Sequence, residues 1–178
     1  YFGSELYNKT LGIIGHGRVG KIISKYAKAF GMKVIHFDKK IINSSYSNRV
    51  TITQLLKTSD IVSINLSLTK KTENFINKSK LIKMKKESLL VNTSRGKIIN
   101  QKDLLYFLKN NIISKAAIDV LEFENIIENN NLKLIEALIN KNKLIVTAHI
   151  SGTTNESLLK TSNFIMKKIF IYLQDYEK

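Results

Sequence analysis

A doubly wound α/β chain, with a parallel sheet of about six or seven strands and helices on both of its faces, is what this sequence implies. Apolar periodicity switches repeatedly between short β-rich runs and longer helical ones, the pattern of strands joined by crossover helices. The β-rich runs are almost continuously hydrophobic, as strands buried on both faces must be. With 43% of its 178 residues apolar, the chain has material for one compact domain with a substantial core.

The strand candidates are 11–14, 34–37, 61–66, 89–92, 116–120 and 144–147. Between them fall helix candidates at 19–30, 53–57, 78–84, 101–109 and 132–140, with a long one at 156–173. Punctuation agrees with these spans. Gly31 stands where a helix end favours a left-handed residue, Asn100 can cap the helix that contains Asp103, and Thr153 with Glu156 reads as a capping box. Linker-like composition is confined to 41–48 and 125–131, so no internal domain boundary is expected. The chain starts at Tyr1 and enters a strand almost at once, which reads as a segment of something longer.

Composition narrows the function classes. No apolar run approaches the ~20 residues needed to cross a bilayer, and the first residues lack a secretory pattern, so a soluble cytoplasmic protein is expected. Absent cysteine excludes thiolate zinc sites and Cys nucleophiles. No metal site is expected. A net charge of +15 suits anionic partners, yet only three of the 29 basic residues, Arg18, Arg49 and Arg95, are arginines. Specific nucleic-acid readers lean on Arg forks, so the charge reads as a solvated basic surface that attracts acidic small molecules, with neither nucleic acid nor membrane as partner.

The first strand runs into Gly15-His16-Gly17-Arg18-Val19-Gly20, and a helix follows. Gly15 permits the tight turn, Gly17 lets the backbone approach a pyrophosphate, and Gly20 allows close helix–sheet packing, with the anion at the helix N-terminus. The second strand ends at Asp38, whose carboxylate would bond adenosine ribose hydroxyls and repel a 2′-phosphate. A Rossmann-type dinucleotide site preferring NAD over NADP is the consequence, with Lys39 and Lys40 placed to soften that preference.

The second half carries a different constellation. Asn92-Thr93-Ser94-Arg95-Gly96 follows a strand, Asp119 ends the next, Glu124 lies five residues on, and His149 ends the last. Ligands of open α/β sheets bind at such carboxyl ends. Singly, each residue has a structural reading: Arg95 a surface ion pair, Asp119 a cap, Glu124 a solvated charge, His149 a satisfied structural histidine. Together they point toward one crevice.

Four segments in order, 9–20, 92–96, 117–120 and 149–152, resemble the NAD-binding domain of the D-isomer-specific 2-hydroxyacid dehydrogenases, a family that includes D-3-phosphoglycerate dehydrogenase. The resemblance implies that Arg95, Glu124 and His149 correspond to the catalytic Arg, Glu and His, and that Asp119 contacts the nicotinamide end. By the same resemblance Arg18, Val19, Asp38, Thr93, Ser94 and Gly152 are cofactor-side positions, and Thr72 matches a phosphate-side threonine. Departures stand at Ala148, where the family has Pro, at Ser151, where it has a second Gly, and at Asn65-Leu66-Ser67, where it has His-x-Pro. They weaken loop rigidity and adenine-side packing more than the chemistry.

The implied activity is hydride transfer between NAD and a D-2-hydroxy acid, D-3-phosphoglycerate-like because an acidic substrate suits a basic protein. His149 would exchange the hydroxyl proton, Arg95 would grip the carboxylate, and Glu124, bonded to the imidazole, would favour the imidazolium and fix its tautomer. Residues 1–178 would form the NAD-binding domain, with a substrate domain built from segments before 1 and after 178, and the whole enzyme a homodimer. A non-catalytic NAD(H)-sensing or corepressor-type module is the alternative, disfavoured by the retained Arg, Glu and His.

Overall fold

A computed structural model describes residues 3–122 and 129–176. It divides into two compact units, one ending at Ala148 and one beginning at His149, each described by itself.

The first unit holds a seven-stranded sheet, counted among the described residues: β1 (Thr10–Ile14), β2 (Lys33–Phe37), β3 (Asn48–Arg49), β4 (Ile61–Ile64), β5 (Leu89–Asn92), β6 (Lys115–Ile118) and β7 (Leu144–Val146). Every pairing is parallel and the order is β3-β2-β1-β4-β5-β6-β7. Each parallel return needs a crossover, and α1 (Arg18–Ala29), α2 (Ile52–Thr58), α3 (Lys78–Leu81), α4 (Gln101–Lys109) and α5 (Asn129–Asn140) lie in five of the six, while residues 38–47 join β2 to β3 without a helix.

Side-chain alternation along β1 divides the core between the two faces of the sheet. Leu11 and Ile13 join Ala27 of α1, Met32 and Val34 in one cluster. Ile14 joins the larger cluster with Leu55, Val62, Ile64, Leu90, Leu104, Phe107 and Leu108. Burying a side chain of that size stabilises by roughly 1.5–3 kcal/mol, so these contacts hold the crossovers down.

Six strands stand where the sequence places them. The seventh, β3, falls at the end of an expected linker, because two exposed residues pairing only through Ile35 and His36 leave no hydrophobic signal. At the end of α1, Gly31 has φ 72° and its N–H bonds Lys28 O while Met32 N–H bonds Ala27 O, a Schellman closure. Asn100 Oδ1 accepts from Asp103 N at 3.0 Å, the expected cap. Lys83 and Met84 leave α3 through i to i+3 bonds, which shortens the expected helix.

The second unit contains α6 (Asn155–Tyr176). Its cap is Thr154, whose Oγ1 accepts from Ser157 N at 3.0 Å, one residue later than the expected Thr153 box. Leu158, Phe164, Met166 and Phe170 are exposed along it. Among the described residues no helix is long and apolar enough to cross a membrane.

Candidate functional site

Between β1 and β4 the strand order reverses its winding, and a crevice opens at such a point on the carboxyl edge of a parallel sheet. The glycine loop sits there. Gly15 has φ 93°, and a Cβ on it would lie 2.5 Å from Asn65 O, the main chain beyond β4. A Cβ on Gly20 would lie 2.3 Å from Gly15 O, so only glycine lets α1 start this close to the strand.

Gly17, the N-cap of α1, is extended and offers no side-chain cap, and no acidic residue occupies the first turn. Nothing lies within 4 Å of where its Cβ would be. The leading amides of α1, at Arg18, Val19 and Gly20, lie at the positive end of a helix dipole, which suits a pyrophosphate. Arg18 and Val19 are exposed beside them.

Asp38 follows β2, half-buried. Its Oδ2 accepts from His16 N at 2.8 Å and its Oδ1 from Lys40 N at 2.9 Å, while Arg49 Nη2 reaches Asp38 O at 3.4 Å. Each carboxylate oxygen keeps a lone pair for a ribose hydroxyl. Lys39 and Lys40 are exposed alongside. Thr72 organises its own loop: its Oγ1 donates to Ser67 O at 2.7 Å and accepts from Thr69 N at 2.8 Å.

At the other end of the crest the buried Asn92 side chain staples the loop that follows β5. Asn92 Oδ1 accepts from Ser94 N at 3.0 Å and Ser94 Oγ at 2.7 Å, and its Nδ2 donates to Arg95 O at 3.0 Å. Thr93 and Arg95 are thereby held exposed. Arg95 Nη1 donates to Ser94 O at 2.6 Å, and the guanidinium forms no ion pair among the described residues. A planar cationic fork left in this state is the group a carboxylate needs.

Asp119 lies one residue beyond β6 and is buried, its N–H bonded to Asn92 O at 2.9 Å and its Oδ1 accepting from Thr147 Oγ1. The following loop is fastened to α4 by a reciprocal pair, Gln101 N to Glu122 Oε2 and Glu122 N to Gln101 Oε1, both 3.0 Å. Gly96 packs against that loop so closely that a Cβ would come within 1.8 Å of Leu121 O.

Of the expected site residues, the first unit therefore places Gly15, Gly17, Asp38, Thr72, Thr93, Ser94, Arg95 and Asp119 on loops that follow the sheet's carboxyl ends, and Arg18, Val19 and Gly20 in the first turn of α1. Glu124 lies outside the described residues. His149 and Gly152 belong to the second unit. His149 does not end a strand: β7 stops at Val146, because Thr147 turns its hydroxyl to Asp119, and His149 takes a left-handed φ of 55°.

Two features escaped the sequence reading. Asn92 is a loop organiser, detectable only as a buried Asn at a strand end. His16 and His36, given no role from the sequence, are both buried and in contact.

Comparison with known proteins adds the following. Residues 1–151 match the family described as D-isomer specific 2-hydroxyacid dehydrogenase, NAD binding domain. The chain is 36% identical over 173 residues to the D-3-phosphoglycerate dehydrogenase of Bacillus subtilis, covering 95% of this chain and 32% of that protein. It is 32% identical over 177 residues to the glyoxylate reductase of Korarchaeum cryptofilum, covering 96% of this chain and 51% of that one. The crystal structure of the D-lactate dehydrogenase from Aquifex aeolicus, complexed with NAD and lactic acid, superposes with a TM-score of 0.88 at 30% identity, over 98% of this chain and 56% of that one. The chain thus spans about a third to a half of the length of these relatives.

Proposed function

This chain belongs to the D-isomer specific 2-hydroxyacid dehydrogenases as their NAD-binding domain, and from that premise we propose that it serves the interconversion of a D-2-hydroxy acid and its 2-keto acid. The observation that carries the reading is the Asn92-stapled loop, which presents Arg95 exposed and without an ion pair among the described residues at the carboxyl end of β5.

When bound, NAD supplies the hydride acceptor or donor. The amides opening α1 would bind its pyrophosphate, Asp38 its adenosine ribose, and Thr72, Thr93, Ser94 and Asp119 groups further along it, with Gly152 a cofactor-side position by the family resemblance. Arg95 pairs with the substrate carboxylate and polarises the carbonyl oxygen. His149 takes the hydroxyl proton in oxidation and returns it in reduction, and Glu124 orients that imidazole. Residues 1–178 form the NAD-binding domain of a two-domain enzyme.

The substrate in this reading is D-3-phosphoglycerate-like. Its support is the chain's +15 charge and the 36% identity to a D-3-phosphoglycerate dehydrogenase, set against comparable identity to glyoxylate reductases. Homodimerisation and a cytoplasmic location complete it. The exposed row Val19, Ile22, Tyr26 and Phe30 on α1 supports a self-association face, and NAD-linked turnover draws on the cell's coenzyme pool. A panel of D-3-phosphoglycerate, D-lactate, D-glycerate and glyoxylate, assayed on the intact protein by NADH absorbance, tests it. Turnover of the phosphorylated acid above the others is expected. Tight NADH binding with no turnover of any of them would instead make the protein a coenzyme sensor.

A further inference from the structure

His16 belongs to the glycine loop yet is fully buried, and its imidazole stacks on that of His36, centroids 4.0 Å apart and planes 22° from parallel. His36 comes from β2, Ser24 from α1 and Ser47 from the segment before β3, and all are buried. These four side chains tie the glycine loop to α1, β2 and the segment before β3.

The proton positions in the cluster follow from its two carbonyls, which only accept. Ser24 Oγ lies 2.8 Å from Gly20 O and donates to it, so it accepts from His16 Nε2–H at 2.9 Å. His36 Nε2 lies 3.2 Å from Ile42 O and donates. His36 Nδ1 then accepts from the Ser47 hydroxyl at 2.9 Å, and Ser47 Oγ, its one proton committed, accepts from His16 Nε2–H at 3.0 Å. The assignment closes with both rings neutral. His16 Nδ1 remains a buried acceptor with no partner among the described residues.

We propose that the His16–His36 pair is a proton-sensitive brace for the dinucleotide loop: neutral, it holds the loop in its binding shape, and a proton on either ring opens it and weakens NAD binding. The inference rests on NAD binding at the crest. A proton on His16 Nδ1 would create a buried N–H without an acceptor and set a cation against the neighbouring ring. A proton on His36 Nδ1 would expel the Ser47 hydroxyl from its bond. Either change loosens the imidazole packing of the loop on β2 and strains the His16 N–H to Asp38 bond, while Gly15 N–H stays on Phe37 O.

The charged surroundings agree in sign. Burial pushes His16 below the ordinary histidine value, and His36 and Lys21 push the same way against Asp38. Burial likewise lowers His36, opposed by its bond to Ile42 O and by Asp38 and reinforced by Arg49. A group with a lowered folded pKa favours the neutral, braced state at neutral pH and takes up its proton only as pH falls through that lowered value.

Calorimetric titration of the intact protein with NAD between about pH 8 and pH 5.5 tests the proposal. Affinity is expected to fall about fivefold or more across that range, with proton uptake on release. The double variant His16→Gln/His36→Gln, with neither ring left to titrate, should bind with a flat profile, and His16→Gln alone, which retains an N–H for Ser24, with a reduced slope. A flat wild-type profile, tighter binding in acid, or the wild-type slope kept in the double variant would overturn the brace. Failure to bind at pH 8 would overturn NAD binding itself. Should either variant not fold, ring-nitrogen NMR of the wild-type protein decides: both rings neutral as Nε2–H at about pH 7, with midpoints that move down when NAD is added, are expected, and a cationic or Nδ1–H ring contradicts the proposal.

Discussion

At the β1–β2 end of the crest the groups suited to a ligand are main-chain amides and one carboxylate, braced from beneath by buried His16, Ser24, His36 and Ser47. At the β5–β6 end they are side chains: Arg95 stands exposed on a loop held by a single buried Asn92, and Asp119 is tucked beneath Thr147. A diphosphate bound through amides needs a rigid backbone and tolerates many side chains at the surface. A carboxylate gripped by a guanidinium needs one particular side chain and can accept a looser frame. The two ends should therefore fail differently when altered.

The largest effect is expected at the side-chain end. In the intact enzyme Arg95→Ala should lower kcat/KM by about 1000-fold or more, ~4 kcal/mol of transition-state stabilisation, while the NAD Kd measured by fluorescence stays within about twofold. Equal losses in both quantities would erase the distinction between the ends. Next comes Gly20→Ala, whose new Cβ would meet Gly15 O at 2.3 Å. Denaturant unfolding should show a destabilisation of about 1–3 kcal/mol, and NAD affinity should drop with it, because the strain falls on the binding amides.

A smaller effect is expected at Asn92→Ala, which strands the Ser94 N–H and the Arg95 carbonyl at about 1–2 kcal/mol. Its signature in steady-state kinetics is a raised KM for the acid, accompanied by a smaller loss of NAD affinity because the same loop carries Thr93 and Ser94. The smallest belongs to Asp60, at the amino end of β1, where it accepts from Thr10 N and Lys85 Nζ. Burial raises its pKa, but the Lys85 bond, the Thr10 amide and the charges of Lys85 and Lys9 outweigh it, so the net shift is below the ordinary 3.8. The stability it contributes is present above that value and lost as pH falls through the depressed one. Asp60→Asn should cost less than about 1 kcal/mol in a neutral thermal melt, with the gap to wild type closing in strong acid and NAD affinity unchanged.

The amide end was the more legible in sequence. Three glycines between an apolar run and a helical one, then Asp38, state their geometry directly, and Gly31 and Asn100 announce helix ends through backbone needs that few residues meet. What stayed hidden depends on partners distant in the chain. Asn48 and Arg49 become a strand only because β2 offers its edge. Thr147 leaves β7 because Asp119 awaits it, which places His149 beyond the strand it was expected to end. His16 looks like a variable position in a glycine motif until His36 and Ser47 close around it. Arg95 stands out in the sequence as a cation just beyond a strand and takes its catalytic role from the resemblance, whereas the Asn92 staple that exposes it needs coordinates.

One titration bears on the central claim most directly: NAD and NADP, in both redox forms, added to the intact protein in a calorimeter at about pH 8. One-to-one heat with NAD, weaker with NADP because the Asp38 carboxylate would repel a 2′-phosphate, is the result this account predicts. No heat with any of the four would contradict it.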